Sequence, residues 1–217
     1  MVPIDDWQSR AERMLETQVV ARGLRDETVL EAMRKVPRHR FVASGLEMQA
    51  YEDRPLAIGE GQTISQPLIV AMMTMSLGVQ PEHSVLEVGT GSGYQAAVLA
   101  QLARQVTTIE RHAGLADAAR ALLSELGIYN VTVVVGDGTL GYPEAAPYDC
   151  ILVTAGAPAV PDTLRDQLTD NGRLVIPVGP PSLQHITVVE RHGDAFETRT
   201  GSPCVFVPLI GQNGWRC

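Results

Sequence analysis

The sequence predicts an α/β protein built on a doubly wound, mostly parallel β-sheet. From residue 84 onward, short apolar runs typical of strands alternate with longer segments of helical period. A glycine-rich turn at residues 87–93 joins the first of these strands to the first helix. The chain has 217 residues, of which 45% are hydrophobic and 19% charged, so it can bury a sizeable core. We therefore expect one domain over residues 1–217.

The residues before this alternation are predicted to form helices followed by irregular chain. Apolar residues recur at helical spacing across residues 7–36, which indicates two helices. Their boundaries are marked by a terminating glycine, a capping aspartate and a proline: Gly23, Asp26 and Pro37. Residues 37–66 show little period and contain several turn formers, so we expect irregular chain with short strands. An apolar helix is predicted over 67–78, with a proline in its first turn.

The alternating half is predicted strand by strand. Strands are expected at 84–88, 106–110, 131–135, 150–154 and 173–179, with helices at 93–103, 112–126 and 162–168. The unbroken β-branched run VTVVV predicts a strand buried on both faces. HITVVER and PCVFVPL are close in sequence and predict two further, antiparallel strands. In such sheets, ligands bind at the carboxyl ends of the strands where the strand order reverses.

Composition argues against several classes of function. The net charge of −8 is unfavourable for binding nucleic acid or an anionic membrane. No signal-peptide pattern opens the chain, and the longest apolar-rich stretch, 68–79, is shorter than the ~20 residues of a membrane span. Three cysteines without ligand spacing predict neither a disulfide framework nor a metal site. We expect a metal-free cytoplasmic monomer.

One basic cluster stands out against the acidic composition. It contains Arg34, Lys35, Arg38, His39 and Arg40. Few aromatic residues are interleaved with it, as they would be in a nucleic-acid patch, so a solvated helix end that offsets the helix dipole is the better interpretation.

The turn EVGTGSG is the strongest functional signal in the sequence. A Walker loop requires a lysine that is absent here, and a dinucleotide loop requires a third glycine where Tyr94 stands. The acid before the first glycine and the GxGxG spacing instead resemble motif I of methyltransferases that use S-adenosylmethionine. The glycines permit a tight turn and the close approach of a ligand. The residues assigned to this cofactor are Glu87, Gly89, Thr90, Gly91, Ser92 and Gly93.

Two further acids follow the second and third strands. A carboxylate at Glu110 can accept hydrogen bonds from both hydroxyls of a ribose. A carboxylate at Asp137 can accept from the exocyclic amine of adenine, and Gly138 leaves backbone groups free for the ring edge. A single acid at the end of a strand is commonly just solvated. Here the two acids end the two strands that follow the one leading into the glycine loop, which favours a shared binding site.

The remaining motifs resemble the protein-L-isoaspartate O-methyltransferase family over nearly the whole chain. The likeness includes Val36-Pro37-Arg38, TAGAP at 154–158, GRLVIPVG at 172–179 and FVPL at 206–209, and it is densest in IGEGQTISQP at 58–67. Many methyltransferases share the glycine loop, whereas the GQTISQP segment is much more restricted. That segment therefore carries the resemblance.

The resemblance implies a Rossmann-like methyltransferase fold with an N-terminal helical extension and a C-terminal β segment. The expected parts are a helical and irregular extension, a cofactor-binding core, and C-terminal strands with a tail: 1–80, 81–180 and 181–217. It also implies transfer of a methyl group to the free α-carboxylate of L-isoaspartyl residues in damaged peptides and proteins, which starts repair through a succinimide. S-adenosyl-L-methionine would become S-adenosyl-L-homocysteine.

The resemblance also assigns the acceptor side of the site. Ser65 is expected to be the catalytic or substrate-orienting hydroxyl, although its place before a proline also suits a helix N-cap. The expected substrate-binding residues are Ile58, Gly59, Thr63, Ile64, Val207, Pro208 and Leu209. A carboxylate is already ionised at pH 7, so the reaction needs positioning more than a strong base.

Three alternatives stay open on sequence alone. The chain could be another S-adenosylmethionine enzyme that acts on a small acid or RNA, an NAD-dependent oxidoreductase, or a non-catalytic protein that only binds the cofactor. The GQTISQP segment opposes the first and Tyr94 opposes the second.

Overall fold

Helices form the N-terminal part of the computed structural model, which describes residues 6–216. Helix α1 spans Trp7–Met14 and continues as a π-helical stretch, Leu15–Val19, and a 3₁₀ turn, Val20–Arg22. Helix α2 spans Glu27–Lys35. The predicted boundaries are confirmed, because Gly23 ends the first segment with φ 88° and the Asp26 carboxylate accepts from the amides of residues 28 and 29.

The segment between α2 and the next helix contains two 3₁₀ turns and a small hairpin. The turns are Arg38–Phe41 and Glu47–Gln49. Strands β1, Leu56–Gly59, and β2, Gln62–Ile64, pair antiparallel, which confirms the short strands expected here. Helix α3 then spans Pro67–Leu77.

The rest of the chain forms a seven-stranded sheet with helices on its faces. Its strands are β3 Ser84–Val88, β4 Gln105–Glu110, β5 Val131–Val135, β6 Tyr148–Val153, β7 Leu168–Val178, β8 Gln184–His192 and β9 Ala195–Cys204. The helices are α4 Tyr94–Ala100, α5 Ala113–Glu125 and α6 Asp162–Arg165. No helix within residues 6–216 is both long and apolar enough to cross a membrane.

The strand order is β5-β4-β3-β6-β7-β8-β9. Strands β3 to β7 are parallel, and the β8–β9 hairpin adds two antiparallel strands. From β3 the chain adds β4 and β5 on one side of that strand, and it then adds β6 on the other side of β3. The order therefore reverses between β3 and β6, where doubly wound sheets form their binding crevice. The predicted Rossmann-like fold class is confirmed.

Two strand predictions are wrong in detail. Strand β5 is not buried on both faces, because it lies at the sheet edge and pairs only with β4, and Val135 is 47% exposed. The last strand is not PCVFVPL. Strand β9 ends at Cys204, and the chain then leaves the sheet, so that Pro208 bridges to Gly156 instead.

The N-terminal helices share their core with the sheet domain. One apolar cluster contains Leu15, Met33 and Phe41 together with Val98 of α4 and Leu123 of α5. Two further clusters cover the sheet, one of them packed against α3 and the other against α6. Because α4 follows the glycine loop directly, this packing brings the β1–β2 hairpin to that loop.

Candidate active site

A cleft opens at the strand reversal. It holds about 780 Å³ of empty space, a volume that includes open solvent at its mouth. The end of β2, the glycine loop, the ends of β4 and β6, and the segment after β9 line it. The predicted site residues among its lining are Thr63, Ile64, Ser65, Gly89, Thr90, Gly91, Ser92, Glu110, Gly138, Val207, Pro208 and Leu209.

The glycine loop is held between β6 and the hairpin. Gly89 has φ 100°, and a Cβ there would collide with the Thr154 side chain. The Thr154 hydroxyl lies 2.8 Å from the Gly89 carbonyl oxygen and donates to it. Gly91 has φ 52°, and its added Cβ would lie 3.2 Å from Cδ1 of Ile58. Both positions favour glycine, because the backbone is left-handed and a neighbouring side chain is close.

The Glu110 carboxylate lies buried on the cleft wall with a fixed orientation. Its Oε2 accepts from the Gly91 amide at 2.9 Å, and its Oε1 accepts from the His112 amide at 3.0 Å. Each carboxylate oxygen has two acceptor sites. The group can therefore still accept from a pair of neighbouring hydroxyls, as a ribose presents them.

Glu87 lies beneath the loop and is not among the residues that line the cleft, so its assignment to the cofactor stays a prediction. It is fully buried, and the Thr108 hydroxyl donates to its Oε2 at 2.5 Å. The hydroxyls of Thr108 and Thr90 are 2.7 Å apart, so a buried chain links Glu87 to a cleft residue. Burial raises the pKa of Glu87 to about 8, which leaves the carboxyl largely protonated at pH 7.

Asp137 is also outside the cleft lining, and three of its acceptor sites are already occupied. Its Oδ1 accepts from the amide and hydroxyl of Thr139, and its Oδ2 accepts from the Gln212 amide at 2.8 Å. Burial pushes the pKa of Asp137 upward, but these hydrogen bonds outweigh it and hold the pKa below its usual value. In this structure Asp137 fastens the C-terminal tail, and its neighbour Gly138 reaches the cleft.

Ser65 lines the cleft and is not a helix cap. The N-cap of α3 is Gln66, which makes no side-chain capping hydrogen bond. Gln66 instead donates through Nε2 to Oδ1 of Asp53 at 2.7 Å. The N-cap interpretation of Ser65 is therefore wrong, and its hydroxyl is not committed to the helix.

Three of the assigned residues support the site from outside the cleft lining. Ile58 packs against Gly91, so it braces the glycine loop. Gly59, with φ 100°, ends β1 just before the hairpin turn. Gly93 is the N-cap of α4, and a Cβ there would lie 3.2 Å from Cβ of Ala119, so this glycine allows α4 to approach α5.

Several residues near the cleft were missed by the sequence analysis. Tyr94, Gln95 and Thr154 line it. They were missed because residues of these types at a helix start or a strand end have no sequence pattern that marks a binding site. Arg38 was predicted to be solvated but is fully buried, with its guanidinium 4.7 Å from the centre of the Tyr94 ring.

The group of potential metal ligands found within residues 6–216 lies outside the cleft. It consists of Glu190, His192 and Glu197 on the β8–β9 hairpin. Glu190 is paired with Arg173 and Arg199, so arginines already neutralise its carboxylate.

Comparisons with known proteins agree with this geometry. The family model of protein-L-isoaspartate (D-aspartate) O-methyltransferase matches residues 9–214. The chain belongs to this family. It is 55% identical over 213 residues to the protein-L-isoaspartate O-methyltransferase of Methanoculleus marisnigri, covering 98% of this chain and 96% of the relative. Identity to that of Trichlorobacter lovleyi is 56% over 205 residues, or 94% of each chain.

Solved structures give the same family. A protein-L-isoaspartate O-methyltransferase structure superimposes with a TM-score of 0.84 at 29% identity, covering 94% of this chain and 67% of that one. A second, of a proposed Plasmodium falciparum family member in complex with S-adenosyl-L-homocysteine, superimposes with a TM-score of 0.79 at 25% identity. It covers 94% of this chain and 97% of its own. The resemblance stated from the sequence is confirmed.

Proposed function

We propose that the chain uses S-adenosyl-L-methionine to methylate the free α-carboxylate of L-isoaspartyl residues in damaged peptides and proteins. The ester would then return to a succinimide, which starts repair. The observation that carries the proposal is one cleft that joins the family's GQTISQP segment, through Ser65, to the glycine loop. Membership of the family and the S-adenosyl-L-homocysteine complex of a structural relative support it.

The residues present fit this cofactor. The glycine loop and the oriented Glu110 carboxylate offer a close backbone approach and an acceptor for ribose hydroxyls. The loop would hold the methionine end, with Thr90 set by the buried chain from Glu87. When bound, the cofactor supplies a methyl group on a sulfonium whose leaving group is a neutral thioether.

The chain's own task is to place the acceptor. The substrate carboxylate is ionised at neutral pH, so no side chain has to remove a proton. Ser65 would donate a hydrogen bond that fixes one carboxylate oxygen, and its neighbours Thr63 and Ile64 also line the cleft. Val207, Pro208 and Leu209 line another part and would pack against the substrate chain. Alignment of the reacting atoms provides the rate gain.

The chain is further proposed to work as a monomer and as one domain over residues 1–217, without nucleic acid, metal or membrane. Cys150 and Cys204 are buried free thiols, which agrees with a reducing cytoplasmic setting.

The test uses two peptides that differ only in one residue, L-isoaspartyl in one and L-aspartyl in the other. Each is incubated with the protein and S-adenosylmethionine that carries a radiolabelled methyl group. We expect base-labile label in the isoaspartyl peptide at least 100-fold faster than in its twin. Equal labelling of both peptides, or labelling of neither, would refute the substrate assignment. A third incubation contains RNA, and label in the RNA alone would support the rival methyltransferase.

A further inference from the structure

Arg38 is a buried cation at the back of the candidate site. Its side chain is 0% exposed, and its Nη1 has no hydrogen-bond partner within residues 6–216. Nε donates to the Ala50 carbonyl at 2.7 Å, and Nη2 donates to the Ser65 carbonyl at 2.7 Å. The guanidinium lies over the Tyr94 ring. Carbonyl oxygens and an aromatic face thus surround this charge.

A buried guanidinium contributes little to the stability of a core, because its desolvation is unfavourable. Burial removes the hydration of the guanidinium and lowers the pKa of Arg38. Even buried ion pairs can often be replaced by apolar residues without loss of stability, so stability alone gives a weak reason for an arginine here. The contacts it makes give a better one.

The guanidinium connects segments that are not paired with one another as strands. Arg38 belongs to a 3₁₀ turn, Ala50 follows another such turn, and Ser65 follows the hairpin. Tyr94 opens α4 directly after the glycine loop. Since no side-chain cap fixes the start of α3, the hydrogen bond from Arg38 is a main restraint on the Ser65 backbone.

We propose that Arg38 is a positioning residue for methyl transfer: by holding the Ser65 carbonyl and the Tyr94 ring together, it sets the Ser65 hydroxyl relative to the glycine loop. This inference rests on the proposed function. Two of the residues that Arg38 contacts line the cleft: Ser65 at the acceptor end and Tyr94 beside the loop. Arg38 itself does not reach the cleft, so it acts only through them.

The test compares Arg38→Lys, which keeps the charge, with Arg38→Gln, which keeps a planar donor. We expect kcat for the isoaspartyl peptide to fall at least tenfold in Arg38→Gln and by less in Arg38→Lys. The Kd of S-adenosyl-L-homocysteine, measured by calorimetry, should stay within threefold, because backbone and Thr154 contacts hold the loop independently. Leu30→Ala, in the same core, provides a destabilised control with unchanged kcat.

A double-mutant cycle separates positioning from general destabilisation. In a Ser65→Ala background, Arg38→Gln should change kcat by less than twofold, because the group through which it acts is gone. An equal loss in both backgrounds, or unchanged kcat in folded Arg38→Gln, would overturn the inference. The wild-type protein is first shown to methylate the isoaspartyl peptide. If it does not, the proposed function fails; if it does, the variants test the role of Arg38 alone.

Discussion

Ser65 is the residue on which the chemistry depends most. It lines the cleft, and its side chain does not cap α3. We therefore expect Ser65→Ala to change the free energy of unfolding by no more than about 0.5 kcal/mol, as for a surface substitution, while kcat falls at least tenfold. Denaturant unfolding and initial rates measure the two effects. Ser76→Ala, at a serine that bonds back within α3, should keep full kcat. Full activity in Ser65→Ala would show that the hydroxyl has no role.

Glu87 makes stability depend on pH. Its pKa is raised from 4.5 to about 8, so folding takes up a proton between these values. The free energy of unfolding should therefore fall as pH rises through this window, by about 1.4 kcal/mol per unit. Below pH 4 the carboxyl is protonated in both states and the effect vanishes.

The variant Glu87→Gln removes this titration and still offers an oxygen to Thr108. Relative to the wild type, its free energy of unfolding should rise steadily from pH 5 to 8 and level off above. Chemical denaturation at several pH values measures the difference. Parallel pH profiles for the two proteins would contradict a neutral, buried Glu87.

The sequence predicted which residues line the cleft better than it predicted the burial and hydrogen-bond partners of individual side chains. The GxGxG spacing and Ser65 led to residues that do line one cleft. Arg38 was expected to be solvated but is buried, and the hydrogen bonds of Asp137 were not foreseen, because partners such as Tyr94 and Gln212 lie far away in sequence. A charged residue looks the same in sequence whether it is solvated or buried among carbonyls.

The proposed cofactor site depends on the conformation of the glycine loop. In Gly89→Ala, the left-handed backbone and the Thr154 side chain both oppose the new methyl group. We expect affinity for S-adenosyl-L-homocysteine to fall at least tenfold by calorimetry. Gly114→Ala is the matched control, because that helical glycine has nothing within 4 Å of an added Cβ. It should bind normally and be equally or more stable. Unchanged affinity in Gly89→Ala would mean that the loop does not hold the cofactor.

Element types were more predictable than element edges. The caps at Gly23 and Asp26 follow from local chemistry and were found from sequence. The edge position of β5 and the end of β9 at Cys204 depend on strand order, which no local pattern specifies. A β-branched run indicates a strand, but its burial is decided by its neighbours in the sheet.

At the scale of the whole molecule, cofactor binding should stabilise the fold. A ligand that binds only the folded state adds about 2.7 kcal/mol to the free energy of unfolding at 100 times its Kd. We expect S-adenosyl-L-homocysteine to raise the midpoint of thermal unfolding and NAD to leave it unchanged. A shift with NAD alone would favour the oxidoreductase that Tyr94 argues against.

The central claim is geometric: the glycine loop and Ser65 bring donor and acceptor together in one cleft. A crystal structure of the chain with S-adenosyl-L-homocysteine and an isoaspartyl peptide tests it most directly. We expect the cofactor sulfur beside residues 89–91 and an oxygen of the free α-carboxylate within hydrogen-bond distance of the Ser65 hydroxyl. A peptide bound with that carboxylate away from both the sulfur and Ser65 would contradict the account.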